Sequence, residues 1–485
     1  MNQRKELIDI LLDSQEWETF ECKRAVTKPL DLLEVVVAFA NTDGGVLVIG
    51  MEDPKKAIGN NRLIGVGEHM DNVSEFLKMI DKEIEPPIMD WEKSEVVIVN
   101  TKRDSDILVL INVQKSGDVH SLRKGDTFVR KGSQNIKVGS SEIIRLKYEK
   151  GSVRFEDEKS DVNDLSCLDK KLFSEYKKFT ASTGESDWQF LKDNGLAALT
   201  GKKFFLTKAG VLLFGKNPSV LLKSKVGIKI SHYYGTEANN SGDPNFVTRP
   251  FTIEGPLISQ IEKAIEYFRS VVNHSRPKLS GASFKSSFLV PEWAFQEAVT
   301  NAVIHRNYFV QDDVHIRFFD DRVEVESPGT YPGHITPRNI RSERFARNPL
   351  ILRTLNRSAS APNLDIGEGV DRMFRVMKDA NLYEPFYIPP TLRPNSVQVF
   401  LLNLKKVEYW DTVSKYLDEH YRITNVKARG ITSIADVLKM SRLLNSWASK
   451  NLLEKVSKSK KDTYYRKPGQ DIPKVLLSRA TDNKK

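Results

Sequence analysis

Between Phe295 and Tyr308 the chain carries Glu297, Asn301 and His305 at a spacing of four, and a helix turns that spacing into one polar stripe. At ~3.6 residues per turn the three side chains share a face, while Ala298, Val299, Ala302 and Val303 lie beside or behind it. Such a stripe, bordered by small apolar residues, suits a helix that packs on a sheet and faces a polyanion. A carboxylate there can polarise a water, and an amide oxygen can complete an octahedral magnesium shell whose other ligands are phosphate oxygens and waters.

The chain has 485 residues, of which 40% are hydrophobic, enough for about three domains of ~100–200 residues with ordinary cores. Cys22 and Cys167 are its two cysteines, too few for a disulfide framework or a thiolate zinc site, and this usage fits a reducing cytoplasm. The longest apolar runs, such as residues 35–40, are well under the ~18–20 residues needed to span a bilayer. The start of the chain lacks the apolar core of a signal peptide, so no membrane partner is expected. The net charge of +10 is local, because residues 406–485 hold 18 Lys and Arg against nine Asp and Glu. A basic segment on an otherwise near-neutral chain predicts a local polyanion-binding surface.

Several motifs after the stripe keep one order. They are His305-Arg306-Asn307-Tyr308, then Phe319 to Val325, Ser327-Pro328-Gly329, Arg347-Asn348-Pro349 and Gly367-Glu368-Gly369-Val370-Asp371-Arg372-Met373. Over residues 285–403 they resemble the divergent ATPase module of the gyrase, chaperone, sensor-kinase and mismatch-repair (GHKL) superfamily. The resemblance implies ATP with magnesium or manganese as cofactors. Glu297 would orient the hydrolytic water and Asn301 would bind the magnesium. His305, Arg306, Arg347 and Asn348 would border the nucleotide. Gly329, Gly367 and Gly369 would let backbone amides approach the phosphates closely. The aspartate that reads the adenine amino group in the wider superfamily has its place at Ser327 here, which loosens the expectation of base selectivity.

In the basic segment, residues 412–419, 432–440 and 441–453 read as three helices, the last opened by a capping serine. Residues 456–466 read as a hairpin. This order resembles a winged helix-turn-helix. Leu443, Leu444, Trp447 and Leu452 would be core, and Arg442, Asn445, Ser446 and Lys450 would face outward from the third helix. Lys458, Lys460 and Lys461 would reach phosphates from the wing. The same module can instead dock a protein partner.

Near the start, residues 19–23 read as a strand with Phe20 and Cys22 on one face and Glu21 and Lys23 on the other. A helix over residues 29–39, a turn at 41–45 and a buried strand at 46–50 follow. An acid and a lysine two apart suit metal-assisted phosphodiester cleavage. Glu16, Glu21, Lys23, the Ala-Asn-Thr-Asp-Gly-Gly turn and Asp53 resemble the Schlafen AlbA-type domain over residues 10–145. Some members of that family only bind DNA, whereas Schlafen nucleases cut RNA with three carboxylates and a metal. Carried over, those carboxylates would be Glu16, Glu21 and Asp53, with Glu52 adjacent to the last; a surface Glu21–Lys23 ion pair is the plain alternative.

These readings combine into an α/β (α+β) protein of four parts. They are an AlbA-type Schlafen domain (1–148), a charged linker and connecting region (149–284), an α/β-sandwich GHKL-like ATP-binding domain (285–405) and a winged helix with a basic tail (406–485). The expected function is an ATP-responsive, metal-dependent nuclease acting on DNA or RNA, of a kind found among bacterial defence genes. The alternative is an ATP-responsive DNA-binding regulator. Related ATPases couple nucleotide to dimerisation, so a homo-oligomer is expected.

Overall fold

Val46 and Val48 point to one side of the strand Gly45–Ile49 and Leu47 and Ile49 to the other, and all four are buried, so the sheet they belong to is covered on both faces. The computed structural model that shows this describes residues 2–469 except 101, 181–185, 240–242, 275–277, 281–282, 286–287, 359–368, 391, 394 and 460–461. The chain forms two compact units, one of residues 1–147 with 407–485 and one of residues 148–406. Helices and strands are mixed in both, so the α/β class holds.

The first unit centres on a four-stranded sheet in the order Phe20–Lys23, Gly45–Ile49, Asp106–Val113, Trp91–Ile98. The first pair is parallel, and the helix Pro29–Asn41 makes the crossover between its strands. Residues 35–41 of that helix are all buried, since the sheet lies on one side and the helix Met70–Lys82 and hairpin strand Thr127–Lys131 lie on the other. The opposite sheet face packs Phe20, Cys22, Val46 and Val48 against Leu7, Ile10 and Leu11 of the helix Asn2–Asp13 and against Tyr421.

Tyr421 belongs to the C-terminal part of this unit, which also pairs Arg422 Nη1 with Asp13 Oδ2 at 2.7 Å. That part comprises helices Trp410–Glu419, Asn425–Thr432 and Val437–Ser449 and a hairpin of Glu454–Ser459 and Asp462–Arg466, with Ile423 bridged to Tyr465. Two helix positions differ from the sequence expectation. Thr432 ends the second helix rather than opening it, and Ser433 turns left-handed behind it with φ 57°. The third helix is opened by Asp436, whose carboxylate accepts the Leu438 and Lys439 amides at 2.8 and 3.1 Å, not by Ser441. An aspartate that accepts two otherwise unpaired amides is the better cap. Leu444, Trp447 and Leu452 are core as expected, while Leu443 is half-exposed.

The second unit is built on a six-stranded sheet in the order Phe246–Ile253, Ile228–Tyr233, Val314–Phe318, Arg322–Pro328, Ser396–Leu402, Phe386–Tyr387. Two of these strands come from the region expected only to connect, so no boundary falls at 284/285. Ile228–Tyr233 runs parallel to Val314–Phe318, a pairing between distant segments that local sequence does not announce. Helices Leu257–His274 and Glu292–Ile304 pack together, and the latter also contacts Arg322–Pro328 and the helix Gly369–Asp379. The charged stretch 149–164, expected to be a linker, is also part of this unit. Phe155 enters the core, Ser160 Oγ donates to the Leu206 carbonyl at 2.8 Å, and Glu156 is fully buried. Among the described residues no helix is long and apolar enough to cross a membrane.

Candidate nucleotide site and acidic cluster

The helix Glu292–Ile304 brings Glu297 and Asn301 to one wall of a cavity of about 340 Å³, and His305, which ends the helix, completes that wall. This volume lies within the ~300–1,000 Å³ range of small-molecule sites. Ala298, Ala302, Val325, Val397 and Val399 give the cavity an apolar inner surface, and Arg341, Arg344 and Arg372 add guanidinium groups. An apolar slot beside cations matches a ligand with a flat apolar part and an anionic part.

The polar groups of the wall are unevenly satisfied. Asn301 Nδ2 donates to Glu297 Oε1 at 2.9 Å, whereas buried Glu297 Oε2 and His305 Nδ1 have no hydrogen-bond partner among the described residues. Burial raises the Glu297 carboxyl above its ordinary pKa, opposed by the Asn301 bond and the Arg372 charge. Burial, with the Arg347 charge nearby, pushes His305 down to about 4, so its ring is neutral at neutral pH. A buried carboxyl oxygen without a partner is costly unless something in the cavity completes it. Gly369, at the start of its helix, lies so close that a Cβ there would overlap the Glu297 carboxylate. Gly329 has φ +100°, and a Cβ there would overlap Asn307, so this position requires glycine, whereas a side chain at Gly369 would displace the Glu297 carboxylate. Gly367 lies outside the described residues.

Ser327 lines the cavity and donates its hydroxyl to the Ala302 carbonyl at 2.7 Å. Arg306, Arg347 and Asn348, expected at the nucleotide, are occupied with main-chain carbonyls instead and do not line the cavity. Arg306 Nη2 donates to Lys225 O at 2.5 Å and also to Asp312 O. Arg347 donates to His305 O at 2.9 Å and to Glu149 O and Thr330 O at 2.7 Å. Asn348 Nδ2 donates to Ile304 O at 2.7 Å and Arg306 O at 2.9 Å. Their residue types suit phosphate, but they are buried and fasten the loop that carries His305. Trp293, Tyr331, Arg372 and Tyr387 also line the cavity without having been expected as site residues; Arg372 was visible only as part of its glycine-rich motif.

In the first unit, Glu21 and Lys23 do share a strand face, but the hairpin strand Thr127–Lys131 covers it. Glu21 is buried, with one carboxylate oxygen paired to Lys23 Nζ and the other to Arg130 Nη2. Glu16 Oε1 accepts the Cys22 amide at 3.4 Å. Its carboxyl is raised by burial first and then by the charges of Glu21 and Asp53, with Lys23 opposing. Asp53 Oδ1 accepts the Lys55 amide at 2.8 Å, and Glu52 lies 3.7 Å from Arg24. Glu16 therefore lies within the field of the other two expected carboxylates. Among the described residues, however, no group of three or more His, Cys, Asp or Glu is arranged to hold a metal ion. With both Glu21 oxygens engaged, the set does not fit a divalent ion as it stands.

On the third C-terminal helix Arg442 and Asn445 are exposed. Asn445 Oδ1 accepts from Lys455 Nζ at 3.1 Å and from the Tyr465 hydroxyl at 3.0 Å, which ties the helix to the hairpin. Lys450 Nζ donates to Ser446 Oγ at 2.8 Å. The Lys458 side chain, Lys460 and Lys461 lie outside what is described.

Residues 16–139 match the family model described as "Schlafen, AlbA_2", and residues 311–401 match the one described as "Putative ATP-dependent DNA helicase recG C-terminal". The chain thus combines an AlbA_2-type domain with an ATPase-type domain. No curated protein matches it. Among solved structures, the DIP2311 protein from Corynebacterium diphtheriae aligns over 100% of both chains at 18% identity and a TM-score of 0.41. The N-terminal domain of a "Putative ATP-dependent DNA Helicase RecG-related Protein" from Nitrosomonas europaea aligns over 29% of this chain and 95% of its own, at 21% identity and a TM-score of 0.21.

Proposed function

We propose that this chain is an ATP-responsive nucleic-acid-binding regulator. The cavity beside Glu297 takes the nucleotide, and the first unit holds the nucleic acid. The observation that carries the nucleotide half is the buried, unpartnered Glu297 oxygen in an apolar cavity with three arginines. Asn301 and Glu297 supply oxygen donors there, so magnesium or manganese accompanying a triphosphate would be held by Asn301 and would offset phosphate charge. Glu297, desolvated and with one oxygen free, is the group that would accept a proton from a water. Asn301→Ala is expected to weaken ATP binding by about tenfold or more through one lost polar contact, measured by titration calorimetry on the full chain, with the circular dichroism spectrum unchanged. Equal affinity in wild type and variant would remove the cavity from consideration.

The nucleic-acid half rests on the basic excess of residues 406–485 and on three helices followed by a hairpin, which we take to act as a winged helix on DNA. Exposed Arg442 is its leading phosphate or base contact. Arg442→Ala should weaken duplex binding and lower the salt slope of log K by about one unit, read by fluorescence anisotropy across a salt series. An unchanged slope would point to protein docking.

A second reading, a nuclease, draws on Glu16, whose carboxyl is raised by burial and by the nearby charges of Glu21 and Asp53. Transfer RNA, single-stranded DNA and duplex DNA incubated with wild type and Glu21→Gln, with and without ATP, separate the two on denaturing gels. Cleavage by wild type alone would replace the regulator with the nuclease.

A further inference from the structure

Arg372 is poised differently from the other arginines at the cavity. Arg341 is already committed, with Nη2 at 2.7 Å from Asp371 Oδ1 and its guanidinium over Phe374 at 4.5 Å. Arg344 lies on the exposed rim. Arg372 is half-buried, lines the cavity and holds its guanidinium 4.7 Å from the centre of the Trp293 ring. Among the described residues it has no carboxylate or carbonyl partner. A cation–π contact with an indole holds a guanidinium in place without using its N–H donors, so those donors remain for a ligand.

What those donors want is set by their neighbours. Arg372 is the cation whose charge acts on Glu297, and it sits one turn into the helix whose first residue, Gly369, touches that carboxylate. An anion placed between them gains from the guanidinium and is repelled by Glu297 unless a proton or cation intervenes, which suits a phosphate that arrives with its own cation better than a bare carboxylate. A planar fork of donors matches two phosphate oxygens.

We infer that Arg372 recognises the terminal phosphate of the bound nucleotide and makes the cavity prefer a triphosphate to a diphosphate. The inference rests on the nucleotide reading given above and extends it to a named ligand-contacting residue. Trp293 is its positioning residue, acting through the orientation of the guanidinium.

The test is titration calorimetry on the full chain with ADP and with a non-hydrolysable ATP analogue in magnesium. Wild type should bind the triphosphate about ten- to a hundredfold more tightly, the worth of charge-assisted hydrogen bonds to one phosphate. Arg372→Gln should abolish that ratio while ADP affinity stays within about threefold. Arg372→Lys should keep part of the ratio, because the charge survives without the fork, and Trp293→Leu should lower it without removing it. An unchanged ratio in both Arg372 variants overturns the inference and leaves the nucleotide site standing, as does an equal loss of ADP and triphosphate, which would mean that Arg372 merely shapes the cavity. Wild-type protein that binds neither ligand overturns the nucleotide reading itself, and the inference with it.

Discussion

Replacing Arg130 by methionine is expected to lower the stability of the unit formed by residues 1–147 and 407–485 by about 3 kcal/mol, the low end of the cost of removing one partner of a buried ion pair, because Lys23 still reaches the other Glu21 oxygen. The Arg130 and Glu21 side chains are only 1% and 3% exposed. Arg130 also donates to Trp17 O from Nε at 3.1 Å and from Nη2 at 2.9 Å, and from Nη1 to Asn135 Oδ1 at 2.8 Å, with its guanidinium over the Phe39 ring. Methionine keeps much of the stem's volume but leaves one oxygen of the buried Glu21 carboxylate without its donor. Lys23, on the other Glu21 oxygen, is 33% exposed, so Lys23→Met should cost about 1 kcal/mol or less. Adding Glu21→Gln to Arg130→Met should recover a large part of the loss, because the uncompensated charge is then gone. Urea denaturation of the wild type, Arg130→Met, Glu21→Gln and the double variant gives the coupling, with Lys23→Met measured beside them. A loss under about 1 kcal/mol for Arg130→Met, or a larger one for Lys23→Met, would mean that Glu21 is not anchored by Arg130.

The same pair marks where sequence stops being legible. Glu297, Asn301 and His305 could be read because helical periodicity is local, and the strand alternation that separates Cys22 from Glu21 and Lys23 is local too. Arg130 could not be read as the partner of Glu21, because 109 residues separate them and nothing near either residue names the other. The outer face of that strand looked polar and solvent-facing; the hairpin that covers it makes Glu21 an internal group. Arg347 and Asn348 show the complementary limit. Their residue types suit phosphate, but their donors close the carbonyls of residues 304–306 and 330, and residue type cannot tell a carbonyl from a phosphate oxygen. Capping was legible in kind but not in place: Ser441 reads as the cap, and Asp436, earlier in the chain, is the side chain that meets two free amides.

Glu156 should make the unit of residues 148–406 lose stability as pH rises from about 4.5 to about 7, by roughly 2–3 kcal/mol. Its carboxylate accepts the Leu350 amide at 2.9 Å and the Ile351 amide at 2.8 Å, at the start of the helix Pro349–Asn356. That helix lacks a cap from its own Asn348, whose amide holds Ile304 and Arg306, so a residue nearly two hundred positions away supplies one. Burial pushes the Glu156 carboxyl up to about 7 against the pull of the two amides. The folded state therefore holds its proton more tightly than the unfolded chain, with its carboxyl near 4.5. The contribution is fully present below the unfolded value and fades as pH passes the folded one. The positive end of the helix favours the carboxylate and trims the effect. Glu156→Gln keeps one acceptor but has no proton to lose. The wild-type stability curve should fall relative to the variant's between those pH values and run parallel to it above them. Urea denaturation monitored at pH 4.5, 5.5, 6.5 and 7.5 reads the difference, and exchange of the Leu350 and Ile351 amides assigns it to this cap. Parallel curves across the whole range would show that the amides and the helix end hold Glu156 ionised, with burial the weaker force.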